Sequence, residues 1–393
     1  MGMDQALFVA DRYSRRSEAP VFVPQAVSAA RTTIPVGHIP SLDGLRALSF
    51  LTVFAGHVGL DRFVPGGFGV TVFFFLSGFL ITTLLRAEFA GRGSVNLGQF
   101  WLRRALRILP PFYLVLLVAT LVSGSIDPGG ELSGGAVTAR VLHVTNYWLI
   151  LNGYNGEPPG TGVYWSLAVE EHFYLLFPFL YVVMQKWRMP ALRQAQLLWA
   201  ICAAVLLWRC VLVFGLHAPE DRTYMGSDTR IDSILFGCAL ALWKNPVLDE
   251  PVLSARYWKY AIVPTSALVL LACLLAPNVQ FRETVRYSLQ GVALTFLFVA
   301  LIRFRDSACS RALNWRPIAF IGVLSYSLYL LHYTVILGVR HELASLHPVL
   351  QASLALGISL TLAWVIHVLV ERPCADLRRR LRRGAQRQLG VES

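Results

Sequence analysis

Ten apolar runs, separated by polar or glycine- and proline-rich breaks, occupy the chain from residue 45 to residue 370. They cover 45–60, 67–86, 108–123, 163–185, 196–216, 231–245, 259–276, 285–304, 318–340 and 349–370. A helix needs about 20 apolar residues to cross the hydrocarbon core. Several runs are shorter, so their helices are expected to extend into the flanks. Residues 141–151 (VLHVTNYWLIL) are too short to span and read as an interfacial or re-entrant segment. Residues 1–40 carry charges and prolines without the apolar core of a signal peptide. The pattern predicts an all-α polytopic membrane protein of about ten transmembrane helices. A flexible cytoplasmic tail (1–40) would precede the membrane domain (41–373), and a basic cytoplasmic tail (374–393) would follow it.

Composition agrees with the pattern. The 393 residues are 55% hydrophobic and only 15% charged, with mean hydropathy +0.54. A soluble domain averages about 25% charged residues, so a water-exposed surface of this size cannot be built. The net charge of +12 would suggest nucleic acid in a soluble chain. In a membrane protein it should instead fall on one side. With both termini on one side, 26 Lys and Arg lie on that side and 7 on the other; Arg46 and Arg209, within spans, complete the 35. This is the positive-inside pattern. It places both termini in the cytoplasm and removes the case for a nucleic-acid partner.

Six cysteines form no CxxC pair, so neither structural zinc nor a disulfide framework is expected. Walker, GxGxxG, HExxH and GxSxG motifs are absent. Nothing in the sequence therefore supports ATP hydrolysis, nicotinamide chemistry or zinc proteolysis.

The informative residues are ionisable groups inside apolar runs, which are costly and mark function by default. Arg46 and His57 share the first run, eleven residues apart. On a helix that separation is about 20° past three turns and about 16 Å along the axis, so both lie on one face. In Trp165-Ser166-Leu167-Ala168-Val169-Glu170-Glu171-His172, two carboxylates and a histidine enter the membrane together. Glu170 falls about 10 Å and His57 about 5 Å below the outer boundary. A His57–Glu170 pair would orient the imidazole for proton transfer; the bland alternative is an ion pair holding two helices together. Asp228 and Asp232 are spaced to share a face around Arg230, either to bond an acceptor's hydroxyls or as a self-satisfied cluster at a helix end. Arg103, Arg104 and Arg107 precede the third run; Arg104 and Arg107 face together and suit a phosphate-bearing ligand, or lipid phosphates.

Taken in order, these segments resemble the membrane-bound acyltransferase-3 family. The matching pieces are Leu42-Asp43-Gly44-Leu45-Arg46 followed, after ten intervening residues, by His57, then Phe73-Phe74-Phe75-Leu76-Ser77-Gly78-Phe79, Arg103-Arg104-x-x-Arg107, and Trp165-Ser166-Leu167-x-x-Glu170. Asp228-x-Arg230-x-Asp232, Ser325-Tyr326-Ser327-Leu328-Tyr329-Leu330-x-His332 and Glu371-Arg372-Pro373 follow. The resemblance covers about residues 40–375. It implies transfer of an acyl group, acetyl by preference, from acyl-CoA to a hydroxyl of a carbohydrate or macrolide-type acceptor in the bacterial inner membrane. It marks His57, Arg46 and Glu170 as catalytic and Arg104 and Arg107 as donor-binding. Arg103 is added to the donor group, and Asp228, Arg230, Asp232 and His332 become candidate acceptor contacts. His57 could act as general base or be acylated itself. Family members often carry a fused extracellular SGNH-type domain; its absence here suggests a stand-alone form with a separate SGNH-type or export partner. A secondary transporter and a non-catalytic membrane sensor are the alternative functions.

Overall fold

A computed structural model describes residues 41–250 and 253–388, with side chains as far as Leu381. The expected N-terminal tail, 1–40, lies outside the described residues. Among the described residues the chain is helical throughout, without a strand, and helices occupy all ten predicted runs. Eight are long and apolar enough to cross a membrane. The protein is an all-α, multi-pass membrane protein.

The remaining two helices are short for a reason. α1 (Leu42–Ala55) is extended by a π-turn, Gly56–Leu60. It packs between α2 (Gly66–Arg92) and the later long helix Arg316–Glu342. α3 (Leu97–Leu121) follows α2, and the segment at 141–151 contributes only the eight-residue α4 (Thr145–Asn152). Next come α5 (Trp165–Lys186) and α6 (Ala191–Cys210), then the second short helix, α7 (Ser227–Leu242). α7 is surrounded by α2, α6 and α9 (Val285–Arg303), and all of Ser233–Leu242 is buried. A helix sheathed in protein need not match the bilayer thickness, so polar ends are tolerated on α1 and α7. α8 (Val263–Leu275), α10 (Arg316–Glu342), α11 (Pro348–Ile366) and α12 (Arg372–Gln388) complete the order. The basic C-terminal tail is thus helical as far as Gln388.

Close approach of backbones fixes the α2–α7 crossing. A Cβ on Gly78 would overlap the Ile234 carbonyl, and one on Gly237 would overlap the Phe75 carbonyl. Small residues allow such contact where apolar burial supplies no drive between helices. Gly237→Ala is expected to cost about 1–3 kcal/mol, read as a lower melting temperature in detergent.

Polar contacts distinguish the two ends of the bundle. At one end Arg86 bonds Asp249 (3.0 Å), Arg303 bonds the Asp249 carbonyl (2.6 Å), and Ser41 N–H donates to Asn314 (2.6 Å). At the other, Arg140 bonds Glu157 and Thr161, and Arg340 donates to the His57 carbonyl (3.0 Å).

Candidate functional site

The predicted residues separate into three groups. The first lies toward the basic end. Arg104 and Arg107 project from one face of α3, and Arg46 of α1 lies within electrostatic range of Arg107 and Glu170. The Arg104 guanidinium rests 5.1 Å over the Tyr174 ring and 5.9 Å from that of Phe100. Arg46 holds Asp43 at 3.2 Å. No carboxylate hydrogen-bonds Arg104 or Arg107 among the described residues. Arg103 is set apart: it bonds Glu88 at the end of α2 (2.8 Å).

Glu170 is fixed in this group. Ser77 Oγ donates to one carboxylate oxygen (2.8 Å) and Tyr174 O–H to the other (3.1 Å). Ser77 and Tyr174 also contact each other (3.0 Å), which closes a triangle. The expected His57–Glu170 pair is absent. Glu170 points across to α2, whereas His57 sits in the π-turn and meets α10. Similar depth on two helices did not bring the two side chains onto facing surfaces.

The second group is His57 with His332, their ring nitrogens 3.0 Å apart. His57 is half-buried and stacked on Tyr333 (4.6 Å), and His332 is wholly buried. His332 was expected to touch an acceptor. Its nitrogens are instead taken by His57 and by the carbonyls of Leu328 and Tyr329.

The third group is structural in form. Asp228 and Asp232 do share a face, but it turns to α6. Asp228 accepts from Trp208 (2.7 Å) and Arg222 (2.9 Å). Asp232 pairs with Arg209 (2.7 Å), and both side chains are fully buried. Ser288 Oγ, the Ser233 N–H and the carbonyls of Thr229 and Thr284 complete that network. Arg230 is also sealed: it bonds Thr71 and the Tyr224 carbonyl, with the Tyr287 ring 4.1 Å away. Arg230 and Asp232 are closed to an acceptor, which corrects the sequence expectation for those two; Asp228 keeps part of its side chain exposed while it is held by Arg222 and Trp208. A charge in the low-dielectric core is tolerated only when paired, and Arg209 took the carboxylate.

A family model described as an acyltransferase domain matches residues 39–368. The chain belongs to the acyltransferase-3 family. The peptidoglycan O-acetyltransferase OatA of Listeria monocytogenes (serovar 1/2a) is 32% identical over 315 residues, covering 76% of this chain and 49% of that protein. YrhL of Bacillus subtilis (strain 168), to which the same activity is assigned provisionally, is 32% identical over 316 residues with the same coverage. The chain spans about half the length of these curated relatives. No solved structure shows significant similarity.

Within this acyltransferase-3 domain, sequence reasoning missed three contributors. Ser77 is the serine at the centre of the apolar run 67–86, and Tyr174 lies one turn below Glu170; both signals were legible. Arg378 was not. It is carried by α12, which packs on α3 and brings it into range of Arg103 and Arg107. The approach depends on the anchor above it, where Glu371 accepts from Ser327 (2.6 Å) and contacts His367 (2.6 Å).

Proposed function

We propose that this chain is an integral O-acyltransferase of the bacterial inner membrane that moves an acetyl group from cytoplasmic acetyl-CoA to a hydroxyl of a glycan. The observation carrying this reading is the guanidinium cluster of Arg46, Arg104 and Arg107, with Arg378 beside it. Asp43, Glu170 and Glu171 lie within range of this cluster, but none hydrogen-bonds Arg104 or Arg107 among the described residues, which leaves their N–H donors able to take an anion from outside. Coenzyme A carries a pyrophosphate and a phosphomonoester, which arginines bind bidentately. Glu170, held by Ser77 and Tyr174, orients Arg104 rather than His57 in this scheme. The acetyl unit and the glycan acceptor are favoured by the names of the relatives.

In the transfer step, His57 takes the proton of the acceptor hydroxyl. The oxygen forms a bond to the thioester carbonyl carbon, while Arg46, about 16 Å from His57 along α1, helps hold the arm of the donor nearer the cytoplasm. The carbon–sulfur bond then breaks, and the proton passes to the thiolate. Acylation of His57 would use the same ring nitrogen as nucleophile.

Purified protein in nanodiscs, given acetyl-labelled CoA and peptidoglycan fragments, tests the reading by base-labile label in the glycan. Removing Arg104 or Arg107 forfeits charged hydrogen bonds worth about 1.5–3 kcal/mol. Either alanine variant should raise KM for acetyl-CoA about 10- to 100-fold, with kcat little changed. A change confined to acceptor affinity would overturn the donor assignment. Absence of any label transfer would favour the transporter or sensor alternatives.

A further inference from the structure

The His57–His332 contact carries more information than its length. A neutral imidazole has one N–H and one lone pair, so a nitrogen–nitrogen distance of 3.0 Å does not say which ring donates. The other side of His332 decides it. Its Nδ1 faces two backbone carbonyls, Tyr329 at 2.9 Å and Leu328 at 3.2 Å. A carbonyl oxygen has no proton to give, so Nδ1 of His332 is the N–H. The ring is wholly buried against Phe50, Phe54 and Tyr329. No carboxylate hydrogen-bonds it among the described residues, and a cation there would be uncompensated.

A neutral His332 with its proton on Nδ1 offers only a lone pair at Nε2. Nδ1 of His57 is therefore the donor, and the lone pair of His57 sits on Nε2. That nitrogen has no partner among the described residues and is not sealed from its surroundings. A directional chain results, from the Leu328 and Tyr329 carbonyls through His332 to His57.

We propose that His332 is a positioning residue that fixes the tautomer of His57, making Nε2 of His57 the nitrogen that takes the acceptor's proton. This rests on the reading of His57 as the base. His332 does what a buried carboxylate does for a hydrolase histidine: it accepts from Nδ1 and orients the ring. Here the acceptor is neutral, and its own orientation is set by backbone. The tautomer of a histidine follows from the bond its other nitrogen makes, so the proposal predicts a residue-specific pattern of loss.

Two replacements separate positioning from packing. In His332→Gln, the amide oxygen can reach the place of Nε2 and accept from His57. His332→Phe keeps a ring of similar shape without an acceptor. The phenylalanine variant should lose at least about 100-fold in kcat, the order of a proton-transfer contribution, with KM for acetyl-CoA unchanged. The glutamine variant should recover most of the loss. Equal losses in the two, or wild-type kcat in the phenylalanine variant, would overturn the proposal.

Should the phenylalanine variant fail to fold, ring-15N-histidine spectra of the wild-type protein decide the question. The His57 signals are those missing in His57→Asn. An unprotonated Nε2 is expected, and a protonated one refutes the tautomer. His57→Ala keeps the two levels distinct. An active alanine variant removes the base itself, whereas an inactive one beside an active His332→Phe removes only the role of His332.

Discussion

His57→Ala is expected to lower acetyl transfer by about 100- to 10,000-fold, the usual contribution of a positioned base, while KM for acetyl-CoA stays near its wild-type value. The guanidiniums that would grip the donor belong to the other group of the site. Half-buried His57 gives up little packing on truncation. The main structural cost is the His332 lone pair left without a donor, about 1–3 kcal/mol, so folding should be checked by melting temperature alongside the rate. His57→Gln serves as a second control, since an amide can still bond His332 without acting as a base. Normal label incorporation in folded His57→Ala would sink the proposed mechanism in either of its forms.

Asp232→Ala should produce the largest loss of stability. It strands the Arg209 guanidinium in a wholly buried site, and breaking a buried pair from one side costs about 3–5 kcal/mol. The expected result is a sharp fall in melting temperature and in the yield of monodisperse protein. Pairing it with Arg209→Met removes both charges and should restore much of the loss, because two apolar groups in place of an ion pair are often tolerated. Residual activity per folded molecule should stay close to wild type. An Asp232→Ala protein of normal stability that fails to bind acceptor would reinstate Asp232 as a substrate contact.

The membrane architecture was legible because hydropathy and basic-residue bias act along the chain: every predicted run contains a helix. The two that fall short of a full span, α1 and α7, could not be distinguished, because sequence does not say whether a helix is sheathed by lipid or by protein. At the site, local spacing was a sound guide within one helix. Arg104 with Arg107, and Asp228 with Asp232, do share faces. Spacing failed between helices. Glu170 and His57 were matched by depth, but azimuth governs contact, and the π-turn at Gly56–Leu60 places His57 against α10. Asp232 looked like a substrate ligand only while Arg209 lacked a partner.

The Arg209–Asp232 bond also bears on how the chain enters the membrane. Arg209 precedes its carboxylate by 23 residues, so during synthesis α6 emerges with a charge that nothing behind it neutralises. An unpaired arginine at depth is expensive in hydrocarbon. The helix therefore gains by waiting at the insertion machinery until α7 arrives, and the two would partition into the bilayer as one hairpin.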